Sequence, residues 1–280
     1  MTSPFSAADF QFMQQMLRQR SGIVLEPGKE YLLETRLLPV VRMEKLESIP
    51  QLISRLRQPG SDRLAKLVIE AMTTNETSFF RDYHPFETLR TQILPELVSK
   101  RGSERRLNIW CAAASTGQEP YSLAMIVKEA GGSLASWSVD ILATDLSEDV
   151  LERAREGLFS QLEVNRGLPA PMLVKYFQQD GLSWRLKPEI RQMVTFRKLN
   201  LLEPFSQLPA MDLVLIRNVL IYFDFPTKQD ILGRIGRVLK PDGYLLLGGA
   251  ETTVNVDDSY ARVTFGKTVC YQKQAVAATV

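Results

Sequence analysis

Apolar residues recur at helical spacing through the first quarter of the chain. Phe10, Met13 and Leu17 mark the buried stripe of one helix. Ser6 stands at its N-cap with Asp9 three residues on, Phe5 and Phe10 have the spacing of a hydrophobic staple, and Ser21-Gly22 is a stop. Tyr31, Leu32, Leu33, Leu37, Leu38 and Val41 predict a second helix. Pro39 falls inside it and should kink or break it, because a proline there has no N–H to return to the preceding turn. Leu52, Ile53 and Leu56, behind Ser48 and Pro50 and ahead of Pro59-Gly60, predict a third helix. Leu64, Leu67, Val68 and Met72 predict a fourth. Residues 1–74 thus read as an all-helical domain.

The pattern then changes. Phe86 to Lys100 is helical, and Leu107 to Ala112 is an apolar run that breaks into small residues and one glycine. Pro120 opens a helix over 121–129, so LNIWCAAASTGQEPYS reads as strand, tight turn, helix. An α/β sheet presents a ligand site at such a turn, at the carboxyl end of its first strand. Trp137 to Thr144 is a second strand ending in Asp145, and Ser147 starts a helix through Ala154. Met211 to Ile216 is a strand followed by Arg217-Asn218, and Thr227 to Leu239 is a helix. Pro241-Asp242-Gly243 predicts a turn, Tyr244 to Leu247 a strand, and Val263 to Tyr271 the last strand. The alternation implies an α/β class with a mainly parallel sheet covered on both faces. Residues 167–199 depart from it. A helical patch, Met172 to Phe177, precedes two strand signals, Trp184–Leu186 and Met193–Arg197, separated by Lys187-Pro188-Glu189. They predict a small antiparallel β insertion.

Composition narrows the chemistry. At 280 residues, 45% hydrophobic and 24% charged, the chain is an ordinary globular protein with room for two domains. No apolar run approaches the ~20 residues of a membrane span. The opening MTSPFSAADF has neither the basic region nor the apolar core of a secretion signal, so a cytoplasmic location and no membrane insertion are expected. Cys111 and Cys270 sit in apolar runs and read as buried thiols. With His84 the only histidine and no CxxC pair, no metal site is expected, nor a Ser-His-Asp triad unless His84 is its base. Residues 1–74 hold ten Lys/Arg against eight acids, and that surplus is the whole net charge of +2. It is too small to imply nucleic acid, and it reads as solvated helix faces or as a basic stripe for an acidic protein surface.

Two places carry candidate chemistry. TTNETSFFRDYHP, from Thr73 to Pro85, packs hydroxyls, an amide, acids, an arginine and three aromatics into little periodicity. Thr77, Phe79 and Arg81 alternate as in a strand, or the whole is a loop. It is either a linker, with Thr74 or Asn75 as a polar cap, or part of a site in which a partly buried Arg81 needs an acceptor. His84, before Pro85, reads as a structural turn residue. Asp145, at the end of the second strand, has the position of the acid that holds two ribose hydroxyls in doubly wound folds, or of a cap for the next helix.

Six segments occur in order along the chain: TTNETSFFRD, ASTGQEPYSLA, ILATDLS, KLNLL, IRNVLIYFD and LKPDGYLLLG. Together they resemble the chemotaxis protein methyltransferases, the CheR-type enzymes, essentially from end to end. The resemblance implies a Rossmann-like S-adenosylmethionine (SAM) methyltransferase fold. A helical domain over 1–74 would be followed by a linker over 75–90 that contributes to the active site. The SAM-binding domain would span 91–280, with its β subdomain at about 167–199. The implied activity is SAM-dependent O-methylation of glutamates on the cytoplasmic helices of chemoreceptors, giving glutamate methyl esters and S-adenosylhomocysteine. It implies that Asn75, Thr77 and Arg81 lie beside the cofactor, with Arg81 reaching the active site. Glu119 would approach the methionine end, Asp145 the ribose, and Asn200 and Leu201 the adenine region. Arg217 and Asn218 would lie at the methyl-transfer end, with Tyr222 directed towards the reacting centre. An acid at Glu119 suits a cationic amino group and argues against a phosphate cradle in that turn. Two departures stand out. Ala113-Ala114 replaces a turn glycine, and Gly249-Ala250 replaces a His-Ser pair before Glu251.

The implied chemistry needs no general base. A glutamate side chain, with an ordinary pKa of about 4.3, is already an ionised nucleophile at neutral pH, and the sulfonium of SAM is a strong electrophile. The enzyme has to align the reacting atoms in a near-attack pose. Arg81 would orient the substrate carboxylate without over-stabilising it, because charge is neutralised in the transition state, and Tyr222 would add a weaker hydrogen bond. The partner would be the acidic methylation region of a receptor helical bundle, met by the basic helices of a monomer. The short connection Gln178 to Pro188 argues against tethering to a receptor tail. Two alternatives remain: a SAM-dependent methyltransferase for another protein or a small carboxylate, and a non-catalytic module that senses SAM or its product. Retention of Arg81, Asn218 and Tyr222 argues against the sensor.

Overall fold

The structure, a computed structural model, describes residues 5–274. The chain divides into two compact units, Met1–Thr74 with Tyr222–Thr227, and Asn75–Ile221 with Lys228–Val280. The last six residues of the expected SAM-binding domain, 275–280, lie outside the described residues.

The first unit is helical: α1 (Ala7–Ser21), α2 (Glu30–Met43), α3 (Ile49–Leu56) and α4 (Asp62–Met72). Ser6 and Asp9 form a full capping box on α1, and the Phe5 and Phe10 rings stack at 6.4 Å. Gly22, at φ +77°, closes the helix in the left-handed conformation that a glycine adopts without a Cβ penalty. α2 runs through Pro39 instead of breaking there. Leu33 and Leu37 before the proline and Val40 and Val41 after it are all buried, so packing holds both halves in register. Met13, Leu17, Leu33, Leu37, Leu52, Ile53 and Val68 are fully enclosed. Arg36 closes the end of α4, donating to the Met72 carbonyl at 2.5 Å and to the Thr74 hydroxyl at 2.9 Å. In the returning segment, the Tyr222 carbonyl accepts the Val24 N–H at 2.9 Å and Asp224 pairs with Arg18 at 2.6 Å.

The second unit begins with α5 (His84–Thr88), a π turn (Leu89–Ile93) and α6 (Leu94–Lys100). The expected helix is thus present, with a π turn in its middle. Pro95 has no N–H for the Thr91 carbonyl, and Leu94 reaches back to the Leu89 carbonyl instead. Strands β1 (Arg106–Ala112), β2 (Ser138–Asp145), β3 (Leu158–Ser160), β4 (Phe177–Asp180), β5 (Ser183–Leu186), β6 (Val194–Lys198), β7 (Met211–Ile216), β8 (Leu239–Leu247), β9 (Tyr260–Phe265) and β10 (Thr268–Lys273) follow. The intervening helices are α7 (Gln118–Glu129), α8 (Glu148–Glu156), α9 (Gln161–Asn165), α10 (Ala170–Tyr176), α11 (Pro188–Arg191) and α12 (Phe225–Val238).

The main sheet has the order β6-β2-β1-β7-β8-β10-β9. Its first five strands are parallel, while β10 is antiparallel to β8 and β9 to β10. A separate sheet has the order β3-β5-β4 and is antiparallel. Buried Leu107, Ile109, Cys111, Ile141, Ala143, Leu213 and Leu215 form part of a core that β-branched and aliphatic strands dominate.

Three expectations need correction. Residues 193–197 do not pair with 184–186. Val194–Lys198 adds to the main sheet beside β2, with Asp145 opposite Lys198. The partners of 183–186 are 177–180, reached through Gly181 at φ +60°, and 158–160, so the small sheet starts before residue 167. Pro241-Asp242-Gly243 lies within β8, as an irregularity between the pairs Met211–Leu239 and Leu213–Tyr244. A Cβ at Gly243 would stand 2.9 Å from the Asp212 carbonyl, so this close backbone approach requires glycine. Finally, Val263–Tyr271 is not one strand but the inner part of the β9–β10 hairpin, reversed at Gly266, φ +56°.

Candidate active site

The carboxyl ends of β1, β2 and β7 are adjacent in a sheet whose order changes direction at β1, the place where α/β sheets bind ligands. The turn leaving β1 is tight. Ala113, Ser115 and Gly117 all have positive φ, at 58°, 50° and 95°. Gly117 is fixed by packing as well, because a Cβ there would lie 3.0 Å from both Ala154 and Tyr121. Ala113 has no such licence, and its left-handed backbone costs about 1 kcal/mol. That strain is held by the Ala114 N–H on the Thr144 carbonyl at 2.9 Å and the Ser115 N–H on Asp145 at 2.9 Å.

Asp145 is buried, and its second carboxylate oxygen accepts the Ser147 N–H at 3.0 Å. It therefore sits in an Asx turn ahead of α8, whose N-cap is Ser147 itself. Burial pushes its pKa up, against the lowering effect of the backbone N–H groups of Ser147, Ser115 and Leu146. The Asp145 carbonyl accepts the Leu199 N–H at 2.9 Å, which places Asn200 and Leu201 beside this strand end. Asn200 turns the chain by accepting the Leu202 N–H at 3.0 Å.

The 75–83 stretch is a loop without strand pairing. The Asn75 carbonyl accepts the Ser115 hydroxyl at 2.9 Å, and Thr77 is half-buried. Phe79 is fully buried against Phe159 and Phe177, at 5.0 and 5.7 Å between ring centroids. Phe80, Asp82 and Tyr83 have φ of 48°, 69° and 51°, three strained positions in four residues. The Phe80 N–H is caught by the Ser122 hydroxyl at 3.0 Å, and Arg81 donates to the Glu76 carbonyl at 2.9 Å. His84 is exposed at the start of α5, a turn residue as expected.

Arg217, at the end of β7, is the hub. Its side chain is 1% exposed and binds Glu119 at 2.9 Å, Asp82 at 2.7 Å and the Arg81 carbonyl at 3.0 Å. The Phe86 ring lies 5.4 Å beneath the guanidinium. Burial raises the pKa of Glu119, opposed first by Arg217 and then by Arg81. Asn218 follows at φ +59°. Arg217 Nε and Asn218 Oδ1 are buried without a hydrogen-bond partner among the described residues. A donor and an acceptor left unsatisfied together at a strand end match the carboxylate and ammonium of an amino-acid group. Asp145 retains acceptor capacity for a vicinal diol. The residues present therefore fit a nucleoside joined to an amino acid, as in SAM.

Asn75 is thus tied to the β1 turn through Ser115, Arg81 and Glu119 are bonded to Arg217, and Asn218 follows Arg217 in the chain, with Asp145, Asn200 and Leu201 at the next strand end. Tyr222 belongs to the segment grouped with the helical unit, where its carbonyl accepts the Val24 N–H. Three supporting residues were missed in the sequence. Ser115 ties Asn75 to Asp145. Arg234 donates to the Leu201 carbonyl at 2.6 Å and also to the Glu203 carbonyl. Glu251 gathers backbone N–H groups around Asn218. Arg234 had a signal, a cation on the inward stripe of a helix between Ile231 and Ile235.

Residues 75–269 match the family described as CheR methyltransferase, SAM binding domain, and residues 8–73 match CheR methyltransferase, all-alpha domain. Chemotaxis protein methyltransferase 1 of Pseudomonas aeruginosa is 43% identical over 270 residues, 95% of this chain and 97% of its own length. Chemotaxis protein methyltransferase Cher2 of Pseudomonas putida is 39% identical over 94% of this chain and 97% of its own. Chemotaxis protein methyltransferase 1 of Vibrio cholerae is 36% identical over 92% and 94%.

Proposed function

The chain belongs to the CheR family of SAM-dependent methyltransferases, and from that premise we propose that it methylates glutamate side chains in the cytoplasmic helical domain of chemoreceptors. The single observation that carries the reading is the Arg217 hub, which binds Glu119, Asp82 and the Arg81 carbonyl at the mouth of β1 and β7. SAM supplies a methyl group on a sulfonium. Asp145 holds the ribose, Asn200 and Leu201 border the adenine, and Asn75 and Thr77 flank the cofactor. Glu119, Arg217 and Asn218 hold the amino-acid end.

Arg81 and Tyr222 act on the other side of the reaction. Arg81 orients the incoming carboxylate, which needs no base because it is already ionised. Its bond to the Glu76 carbonyl fixes the guanidinium by a neutral acceptor, so its charge remains available to the substrate. Tyr222 contributes a weaker hydrogen bond. The substrate loses its charge as the ester forms, so a site rich in buried, internally paired groups favours the transition state over a solvated ion pair.

The helical domain takes residues 1–74, the linker 75–90 and the SAM-binding domain 91–280. The protein works as a cytoplasmic monomer, and among the described residues no helix is long and apolar enough to cross a membrane. The decisive experiment is incubation with methyl-labelled SAM and chemoreceptor cytoplasmic fragments. Base-labile methyl ester on the fragment supports the reading. Binding of SAM without label on any receptor would leave a different substrate or a sensing role.

A further inference from the structure

Glu251 is half-buried in the turn after β8, and its carboxylate accepts four backbone N–H groups. Oε2 receives Asn218 at 2.8 Å and Gly248 at 2.7 Å, and Oε1 receives Val219 at 2.9 Å and Ile221 at 3.3 Å. Three of these donors lie in the segment leaving β7, the last of them in a short 3-10 turn, Leu220–Tyr222. The fourth ties that segment to the exit of β8. Asn218 is left-handed at φ +59°, a conformation that a non-glycine residue keeps only when its surroundings enforce it. Gly248 completes the arrangement. A Cβ there would lie 2.7 Å from both Asn218 Nδ2 and Glu251 Oε2, so the two loops close on each other without room for a side chain.

We infer that Glu251 is a positioning residue for methyl transfer: its carboxylate clamps residues 218–221, and so sets where Asn218 stands. The inference rests on the receptor-methylation reading. It also accounts for tolerance of Gly249-Ala250 in this turn, because the clamp uses the Glu251 side chain and the Gly248 backbone, not the side chains between them. Glutamine at 251 keeps the size but loses the charge and half of the acceptors, placing an NH2 against backbone donors. Aspartate keeps the charge with a shorter reach.

The test compares the full chain with Glu251→Gln, Glu251→Asp and Gly248→Ala, measuring receptor-fragment turnover, S-adenosylhomocysteine affinity by calorimetry, Tm, and amide exchange at residues 218–221. Charge-assisted hydrogen bonds lost from a clamp of this kind should lower kcat about 10- to 100-fold in Glu251→Gln, with a smaller change in product affinity. Glu251→Asp should recover part of kcat, Gly248→Ala should resemble Glu251→Gln, and exchange at Asn218, Val219 and Ile221 should quicken. Wild-type kcat in Glu251→Gln would overturn the inference, as would losses of kcat, affinity and Tm in equal measure. If the wild-type chain methylates no receptor fragment, the receptor reading fails by itself. Exchange then decides the clamp: faster in Glu251→Gln upholds it, unchanged refutes it.

Discussion

Asp145 and Glu119 are carboxylates in places where burial works against their charge, and each is compensated differently. Asp145 relies on backbone N–H groups and Glu119 on Arg217. Because burial raises the pKa of Asp145, the folded chain holds that proton to higher pH than the unfolded chain does. Its contribution to stability is therefore greatest at low pH and is lost as pH rises through the folded value. With Asp145 in its proposed ribose role, affinity for S-adenosylhomocysteine runs the other way, since two ribose hydroxyls donate best to an ionised carboxylate. Calorimetry on acidification should show affinity falling at a pH above the ordinary aspartate range of about 4, and Asp145→Asn should be weak throughout. An affinity that ignores this substitution would remove the ribose role. Arg81→Ala should lower turnover about 100-fold or more with Tm little changed, because the side chain is half-buried and the hydrogen bond it gives up goes to the Glu76 carbonyl. Wild-type turnover would exclude Arg81 from the reaction. Motifs could single such residues out, but the pairing of Arg217 with Glu119 could not be read, since 98 positions separate them.

The 75–83 loop shows how an element without periodicity is held. Phe79 lies between rings from the small sheet, Glu76 pairs with Arg166, and Gly167 meets the Phe79 backbone. A Cβ at Gly167 would lie 2.1 Å from the Phe79 carbonyl, at a φ of +90° that disfavours any side chain. Gly167→Ala should cost about 2 kcal/mol or more, read in Tm, and should lower turnover by moving Arg81. Equal turnover at matched folded protein would show that the loop is not held from this side. Capped helices are simpler. Ser6→Ala removes the acceptor for the Asp9 N–H and should cost about 1 kcal/mol of helical-unit stability by chemical denaturation. These helices were legible because cap, stripe and stop are all local. The strands misassigned in the sequence failed for the opposite reason. Asp180-Gly181 and Gly266-Lys267 are short reversals whose glycines were visible, but which strands they bring together depends on partners far along the chain.

For the whole molecule, the basic surplus of residues 1–74 is mostly spent inside the helical unit. Arg18, Arg20, Lys29, Arg57, Arg63 and Lys66 all form ion pairs, and Arg36 caps α4. Among the described residues Arg42, Lys45 and Arg55 are exposed and form no salt bridge. Charge reversal at Arg42 and Lys45 should therefore slow receptor methylation, with the loss easing in high salt and cofactor affinity unchanged. The same change at Arg36 should lower Tm as well. Receptor methylation unaffected by the Arg42 and Lys45 changes would move the receptor contact elsewhere. By itself the sequence determined the elements whose signals are local. These are the four N-terminal helices, two of them capped by Ser6 and Ser48, the strand-turn-helix around Ser115, the acid closing the second strand, and the motif order that names the family. Only the tertiary structure decided that Val194–Lys198 joins the main sheet, that Arg217 binds Glu119 and Asp82, and that Glu251 holds the loop after β7. Hydrogen bonds and ion pairs between distant segments leave no periodic trace in the chain, because they depend on which backbone and side-chain atoms the fold brings within about 3 Å of each other.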